Sequence, residues 1–93
     1  MNIQVGLKGR FRDLFSDGEL DLELAEGASV KDLLRQLCER NQSAAEVFYN
    51  RNAALKPNVS ITKNGRFIIH LNWLDTTLAE GDQVTIFTLH CGG

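Results

Sequence analysis

The chain has 93 residues, of which 43% are hydrophobic and 24% are charged, a composition typical of one domain that builds its core without disulfides or metals. Its ten basic and twelve acidic residues are interspersed, so no basic stripe predicts binding to nucleic acid. No stretch has the apolar length of a membrane span and the N-terminus lacks a signal-peptide pattern, so we expect a cytoplasmic protein without a membrane partner.

Alternating apolar and polar residues predict two strands in the first quarter of the chain. The apolar positions of these strands are Ile3, Val5, Leu7, Leu20, Leu22 and Leu24. The connector, residues 9–18, is long for a tight hairpin and contains three large apolar side chains, those of Phe11, Leu14 and Phe15. We therefore expect an ordered loop that is fixed to the core and ends in a turn at Asp17-Gly18.

Two helices are predicted next. Ser29 is a typical N-cap and Asp32 has the spacing of a capping box. The apolar positions that follow have helical spacing: Val30, Leu33, Leu34, Leu37 and Cys38. A shorter helix is predicted over residues 44–49, with Ser43 and Glu46 as a second capping box.

The second half of the chain predicts three further strands. Residues 59–63 and 66–70 flank Asn64-Gly65, the strongest hairpin signal in the chain. A short irregular crossing then leads to the last strand, which begins at Gln83. We expect an α+β fold in which the sheet wraps one main helix and the last strand lies beside the first. Phe87 is out of phase with the buried positions of that strand and would lie on the opposite face.

The candidate catalytic residues do not form a recognisable constellation. His70, His90, Cys38 and Cys91 lack the spacing of a metal site, and the glycines are too scattered for a phosphate loop. Cys38 is expected to be a small core residue. The sequence therefore predicts neither a stand-alone enzyme nor a bound metal.

The C-terminal tail offers chemistry of a different kind. The last strand runs directly into Gly92-Gly93, and the four residue steps beyond Leu89 span roughly 14 Å when extended. Such a thin thread could enter a narrow active-site channel as the substrate of another enzyme. Its carboxylate would react only after activation, for which an acyl-adenylate formed with ATP is the usual solution. The alternative is that the two glycines are a frayed end without a role.

The order and spacing of short motifs in the second half favour the first of these two interpretations. The chain resembles the ubiquitin-like sulfur-carrier family, which includes the molybdopterin synthase small subunit and the thiamine-biosynthesis sulfur carrier. The similarity is dense over residues 59–93 and looser before them. It is carried by Asn64-Gly65-Arg66, His70-Leu71-Asn72, Leu74-Asp75-Thr76, Leu78, Glu80-Gly81-Asp82, Val84, Ile86-Phe87 and Gly92-Gly93. The resemblance implies a single β-grasp domain, with a mixed sheet of four to five strands and a flexible tail at about residues 89–93.

The resemblance also implies roles for residues and partners. Gly93 would be adenylated by a ubiquitin-activating-type enzyme that uses ATP, and then converted to a thiocarboxylate. The sulfur would come from a donor such as a persulfide protein and pass to a synthase, while the chain itself binds no cofactor. The tail in the enzyme's channel would comprise Gly92, Cys91 and His90, and the docking surface would include Phe87 and Leu89.

Three questions stay open at this point. The family's molybdopterin-type members usually have prolines where this chain has Thr88-Leu89-His90-Cys91, so the pathway that receives the sulfur is undecided. The chain could instead be a protein modifier joined through Gly93 to lysines, or a β-grasp interaction module with an incidental tail. Cys91 is either a tolerant exposed thiol or a group that exchanges sulfur with another protein.

Overall fold

A computed structural model describes residues 1–15 and 18–88 of the chain. Within these residues the strands are β1 (Asn2–Leu7), β2 (Glu19–Glu23), β3 (Val59–Lys63), β4 (Arg66–Phe67) and β5 (Gln83–Thr88). The α-helices are α1 (Val30–Arg40) and α2 (Ser43–Phe48), and short 3-10 segments occupy Gly9–Leu14, Ile68–His70 and Trp73–Asp75. The predictions made for Asp17 and for the tail at residues 89–93 lie outside the described residues.

The strands form one mixed sheet in the order β2-β1-β5-β3-β4. The central pair, β1 and β5, is parallel, with Val5 opposite Val84 and Leu7 opposite Ile86. The other neighbouring pairs are antiparallel. This is the β-grasp arrangement, and both the fold class and the position of the last strand beside the first are confirmed.

The core lies between the sheet and α1. The 3-10 segment after β1 reaches this core through Phe11, whose ring centroid is 5.3 Å from that of Phe48 on α2. The predicted ordered connector is therefore confirmed for its described part. The largest fully buried side chains are those of Phe11, Phe48, Ile3, Leu22, Leu33, Leu34, Leu37, Ile68, Ile86, Val5, Val30 and Val84.

The helix start at α1 is as predicted. The Ser29 side chain accepts a hydrogen bond from the Asp32 backbone N–H at 3.4 Å, and the Asp32 carboxylate accepts one from the Ser29 N–H at 2.9 Å. The hydrogen bond from the Ser29 backbone is the main reason why the pKa of Asp32 lies below its ordinary value. Two donors at the helix end are thus satisfied by one pair of residues.

The second predicted capping box is wrong. Helix α2 already includes Ser43 as its first residue, so the Ser43 side chain does not cap it. The Asn41 side-chain carbonyl accepts the hydrogen bond from the Ser43 N–H instead, at 2.9 Å. The Asn41 amide nitrogen donates to the Leu14 carbonyl at 2.7 Å, which ties the junction of the two helices to the loop after β1.

The Asn64-Gly65 hairpin is confirmed, but its second strand is shorter than predicted. Asn64 and Gly65 have φ angles of 51° and 85°, the left-handed pair that a type I′ turn requires. Strand β4 ends at Phe67, and the predicted continuation to His70 is a 3-10 turn in which Ile68 is buried and Ile69 is exposed. Consecutive apolar residues lack the alternation that would hold a strand against one face of the sheet.

Gly18 marks the return from the loop into β2. Its φ angle is +70°, and a Cβ atom there would lie 2.7 Å from the Leu7 carbonyl oxygen. A side chain is therefore excluded by both conformation and space. Gly27 also has a positive φ, of +83°, but a Cβ atom there would meet nothing within 4 Å.

Candidate functional site

The end of β5 is the part of the described structure from which the chain continues towards Gly93. β5 is paired along both of its edges, with β1 on one side and β3 on the other. Beyond β1 the Lys8 N–H donates to the Ile86 carbonyl at 2.9 Å, and Thr88 lies opposite Val59. The exit point is therefore held in the middle of the sheet. The candidate residues Leu89, His90, Cys91, Gly92 and Gly93 lie outside the described residues.

An aromatic pair lies on the sheet face opposite α1. Phe87 is partly buried, and its ring centroid is 5.9 Å from that of Phe67, in an edge-to-face arrangement. The two residues are on β5 and β4, with β3 between them, so their backbones are separated by roughly 10 Å. The rings must therefore lean towards each other above β3. This explains why Ser60 and Thr62, which oppose Phe87 and Phe67 in the register, are only 8% exposed.

Three large apolar side chains in the described part of the chain are exposed. Phe67 is 38% exposed, Ile69 67% and Trp73 43%. The sequence prediction assigned no docking role to any of them. Of the three, Phe67 is the one whose position the sequence indicates, because a type I′ turn at Asn64-Gly65 places it opposite Thr62, on the same face as Phe87. The contact between Phe67 and Phe87 can be predicted only when the order of the strands in the sheet is known.

A polar cluster fixes the start of β5. The buried Asp82 carboxylate accepts hydrogen bonds from the Asn64 side chain at 2.9 Å and from the Ala79 N–H at 2.8 Å, and Lys63 Nζ lies 3.7 Å away. Asn64 in turn accepts from the Gln83 N–H at 2.9 Å. Burial raises the pKa of Asp82, but the Asn64 and Ala79 hydrogen bonds and the Lys63 charge outweigh it and hold that pKa below the ordinary value.

His70 and Cys38 are the candidate catalytic side chains that remain among the described residues. No group of three or more His, Cys, Asp or Glu side chains that could bind a metal occurs in residues 1–15 and 18–88. His70 is exposed, and burial raises the pKa of the Cys38 thiol, which packs partly against the core as predicted. A raised pKa makes a thiol less reactive at neutral pH. None of the helices in the described ranges is long and apolar enough to cross a membrane.

Comparison of the sequence with models of known protein families shows the family of this chain. The model of the ThiS family matches residues 5–93, which is nearly the whole chain. The chain belongs to the ThiS family. The predicted resemblance to ubiquitin-like sulfur carriers is thereby confirmed at the level of the family.

Individual relatives of this ThiS-family chain point in two functional directions. Small archaeal modifier protein 3 of Haloferax volcanii is 30% identical over 94 residues, covering 100% of both chains. A protein of Archaeoglobus fulgidus that is provisionally named a sulfur carrier is 29% identical over 89 residues, covering 96% of this chain and 100% of its own. The solution structure of small archaeal modifier protein 1 from Methanosarcina acetivorans has a TM-score of 0.86 at 26% identity, covering 99% and 96% of the two chains.

Proposed function

We propose that this ThiS-family protein is a sulfur carrier whose last residue, Gly93, is adenylated and then converted to a thiocarboxylate. The observation that carries the proposal is the match of the family over residues 5–93, which includes the Gly92-Gly93 end. The position of β5 supports it, because a strand paired on both edges gives the tail a rigid base. The protein is then a co-substrate rather than a catalyst, and it needs no bound cofactor.

The proposed chemistry proceeds in two steps. First, a carboxylate oxygen of Gly93 attacks the α-phosphorus of ATP in a ubiquitin-activating-type enzyme, and pyrophosphate leaves. Next, a sulfur nucleophile attacks the carbonyl carbon and AMP leaves. Hydrosulfide gives the thiocarboxylate directly, whereas a persulfide protein gives an acyl disulfide that a thiol must then reduce. The thiocarboxylate passes its sulfur to a synthase. Glycine at the reacting carbon presents no side chain to hinder either attack.

The aromatic pair, Phe67 and Phe87, is the surface that we assign to the activating enzyme. Its rings lie on the face of the sheet that α1 does not cover, and Phe87 is on the strand that continues into the tail. Exposed apolar groups on one face are a common feature of partner sites, and aromatic residues often dominate their binding energy. Leu89, which follows Thr88, is assigned to the same docking surface by the family resemblance alone.

A second candidate function is that of a protein modifier. The relative named small archaeal modifier protein 3 favours it, because the alignment spans both chains in full. In this case the activated Gly93 carbonyl is attacked by a lysine amine of another protein, and an isopeptide bond forms. Both functions share the adenylation step, so they differ only in the nucleophile that accepts the acyl group.

Intact-mass measurement tests the proposal and separates the two functions. The protein is incubated with ATP and its activating enzyme, first with sulfide and then with a mixture of lysine-bearing proteins. A mass increase equal to the exchange of one oxygen for one sulfur supports the sulfur carrier. Covalent adducts at lysine, formed without sulfur incorporation, support the modifier instead.

Deletion of Gly93 supplies the control. We expect the shortened chain to keep its thermal stability, since a terminal residue makes few buried contacts. It should lose ATP–pyrophosphate exchange completely. Equal exchange rates with and without Gly93 would show that neither function uses this carboxylate.

A further inference from the structure

One short segment is basic in a chain whose charges are otherwise interspersed. Three of its ten basic residues, Lys8, Arg10 and Arg12, lie within five positions directly after β1, in a stretch without an acidic residue. The rest of the chain is left with seven basic and twelve acidic residues. All three basic residues are exposed. We call them the cationic collar.

The fold fixes the collar beside the exit of the tail. The Lys8 N–H donates to the Ile86 carbonyl at 2.9 Å, and a Cβ atom on Gly9 would lie 3.5 Å from the Thr88 hydroxyl. Phe11, which is 1% exposed, anchors the 3-10 turn that carries the collar. The collar therefore keeps its position relative to the last described residue of β5.

Carboxylates near the collar do not neutralise it by direct pairing in the described structure. Asp13 follows Arg12 in the chain, and Glu19 and Asp21 line the same groove on the open sheet face as Lys8 and Arg12. Among residues 1–15 and 18–88, no ion pair within 4.0 Å joins a collar residue to a carboxylate. The collar thus offers three cationic side chains beside the point where, in the proposed function, a partner approaches to receive the tail.

We propose that the cationic collar docks against an acidic rim at the mouth of the activating enzyme's channel. This inference rests on the proposed adenylation of Gly93. The occupant follows from charge complementarity and from the length of the tail: five residue steps lead from Thr88 to Gly93, a span of roughly 17 Å when extended. With Gly93 in the active site, the collar lies at the channel entrance and contacts its rim.

The same distance decides which step the collar affects. The Debye length at physiological ionic strength is about 8 Å, roughly half of the extended span of the tail. The collar charges are therefore screened from the reacting carboxylate but act directly on the surface they contact. Complementary charges at the rim of an interface mainly increase the association rate. The collar residues are positioning residues for the encounter, not catalytic residues.

The test compares two double variants of equal charge. The first, Arg10→Glu/Arg12→Glu, reverses the collar. The control, Arg40→Glu/Arg51→Glu, reverses two exposed residues at other places: the last residue of α1 and a residue of the turn that follows α2. ATP–pyrophosphate exchange with the activating enzyme gives kcat and KM, and stopped-flow mixing gives the association rate, each at low and high salt. Circular dichroism during urea unfolding verifies that both variants are folded.

We expect the collar variant to raise KM and slow association about tenfold at low salt, with kcat within about twofold of the unmodified protein. High salt should remove most of this difference, and Arg10→Lys/Arg12→Lys should behave as the unmodified protein does. The control variant should change KM by less than about threefold. The proposal that the collar docks on the enzyme would be overturned if the two variants had equal effects or if only kcat fell. A defect that salt does not change would overturn it as well. Absence of adenylation in the unmodified protein would instead refute the proposed function on which the collar rests.

Discussion

Replacing Phe87 by alanine tests whether the open sheet face is a docking surface or part of the core. The side chain is partly buried, and its identified aromatic contact is the Phe67 ring at 5.9 Å. Phe11 offers the core comparison, since it is 1% exposed and packs against Phe48. Thr85, on the same strand and the same face, offers a control for binding.

The expected cost to folding follows from burial and from the aromatic contact. Truncation of a fully buried phenylalanine costs about 3–5 kcal/mol, which is the expectation for Phe11→Ala. Phe87 keeps part of its surface in solvent, and an aromatic pair contributes about 0.5–1.5 kcal/mol beyond its buried area. We therefore expect Phe87→Ala to lower the free energy of unfolding by about 1.5 kcal/mol. The double variant with Phe67→Ala should cost less than the sum of the single variants, by about 1 kcal/mol.

Urea unfolding at 25 °C, followed by circular dichroism, measures these free energies. Calorimetric titration with the activating enzyme measures binding, where Phe87→Ala and Phe67→Ala should each cost about 1–2 kcal/mol or more. Thr85→Ala should leave the affinity within about twofold. If Phe87→Ala unfolds the protein as severely as Phe11→Ala, the ring belongs to the core. If stability falls as expected but affinity is unchanged, the face is not the docking surface.

Two further predictions concern the fold that carries the site. Asp82→Asn should lower the free energy of unfolding at pH 7 by about 1–2 kcal/mol, because the charge assistance to the hydrogen bonds from Asn64 and the Ala79 N–H and the ion pair with Lys63 are lost. The folded pKa of Asp82 lies below the unfolded value of 3.8, so this contribution is present above that value and disappears as the pH falls through the folded pKa. A stability difference between the variant and the unmodified protein that stays undiminished on acidification through this range would contradict it. Gly18→Ala should cost about 2–4 kcal/mol, against about 1 kcal/mol for Gly27→Ala, because only the first adds a steric clash to the positive φ. Equal thermal melting temperatures for the two glycine variants would refute the packing described at Gly18.

The elements that sequence reasoning predicted correctly are those whose cause is local. The capping box at Ser29 involves two residues three positions apart, and the Asn64-Gly65 turn needs only the backbone conformations of its own residues. Alternation likewise predicts that Val84 and Ile86 face one side of the sheet and Phe87 the other. These features depend on short-range sterics and hydrogen bonding, which a sequence displays directly.

The features that sequence reasoning missed depend on pairing across long separations. Phe67 and Phe87 are far apart in the chain and meet only because their strands flank β3. The collar stands at the tail exit only because β1 and β5 are parallel neighbours, so that residues directly after β1 lie beside the end of β5. Alternation determines which face a residue occupies, but it does not determine which strands are adjacent. Both the aromatic pair and the collar can therefore be located only when the strand order is known.

The strand order also suits the proposed function, in which a folded domain presents its own end to another enzyme. In the proposed function, seating Gly93 in a channel would pull on the backbone at Thr88, and an edge strand would be open to peeling from the sheet. β5 is instead paired with four residues of β1 and five of β3. At its other end Asn64 accepts from the Gln83 N–H and binds the Asp82 carboxylate, which fixes the start of the strand. Because β5 is secured on both edges and at its start, such a pull would be shared by the whole sheet rather than by one pair of strands.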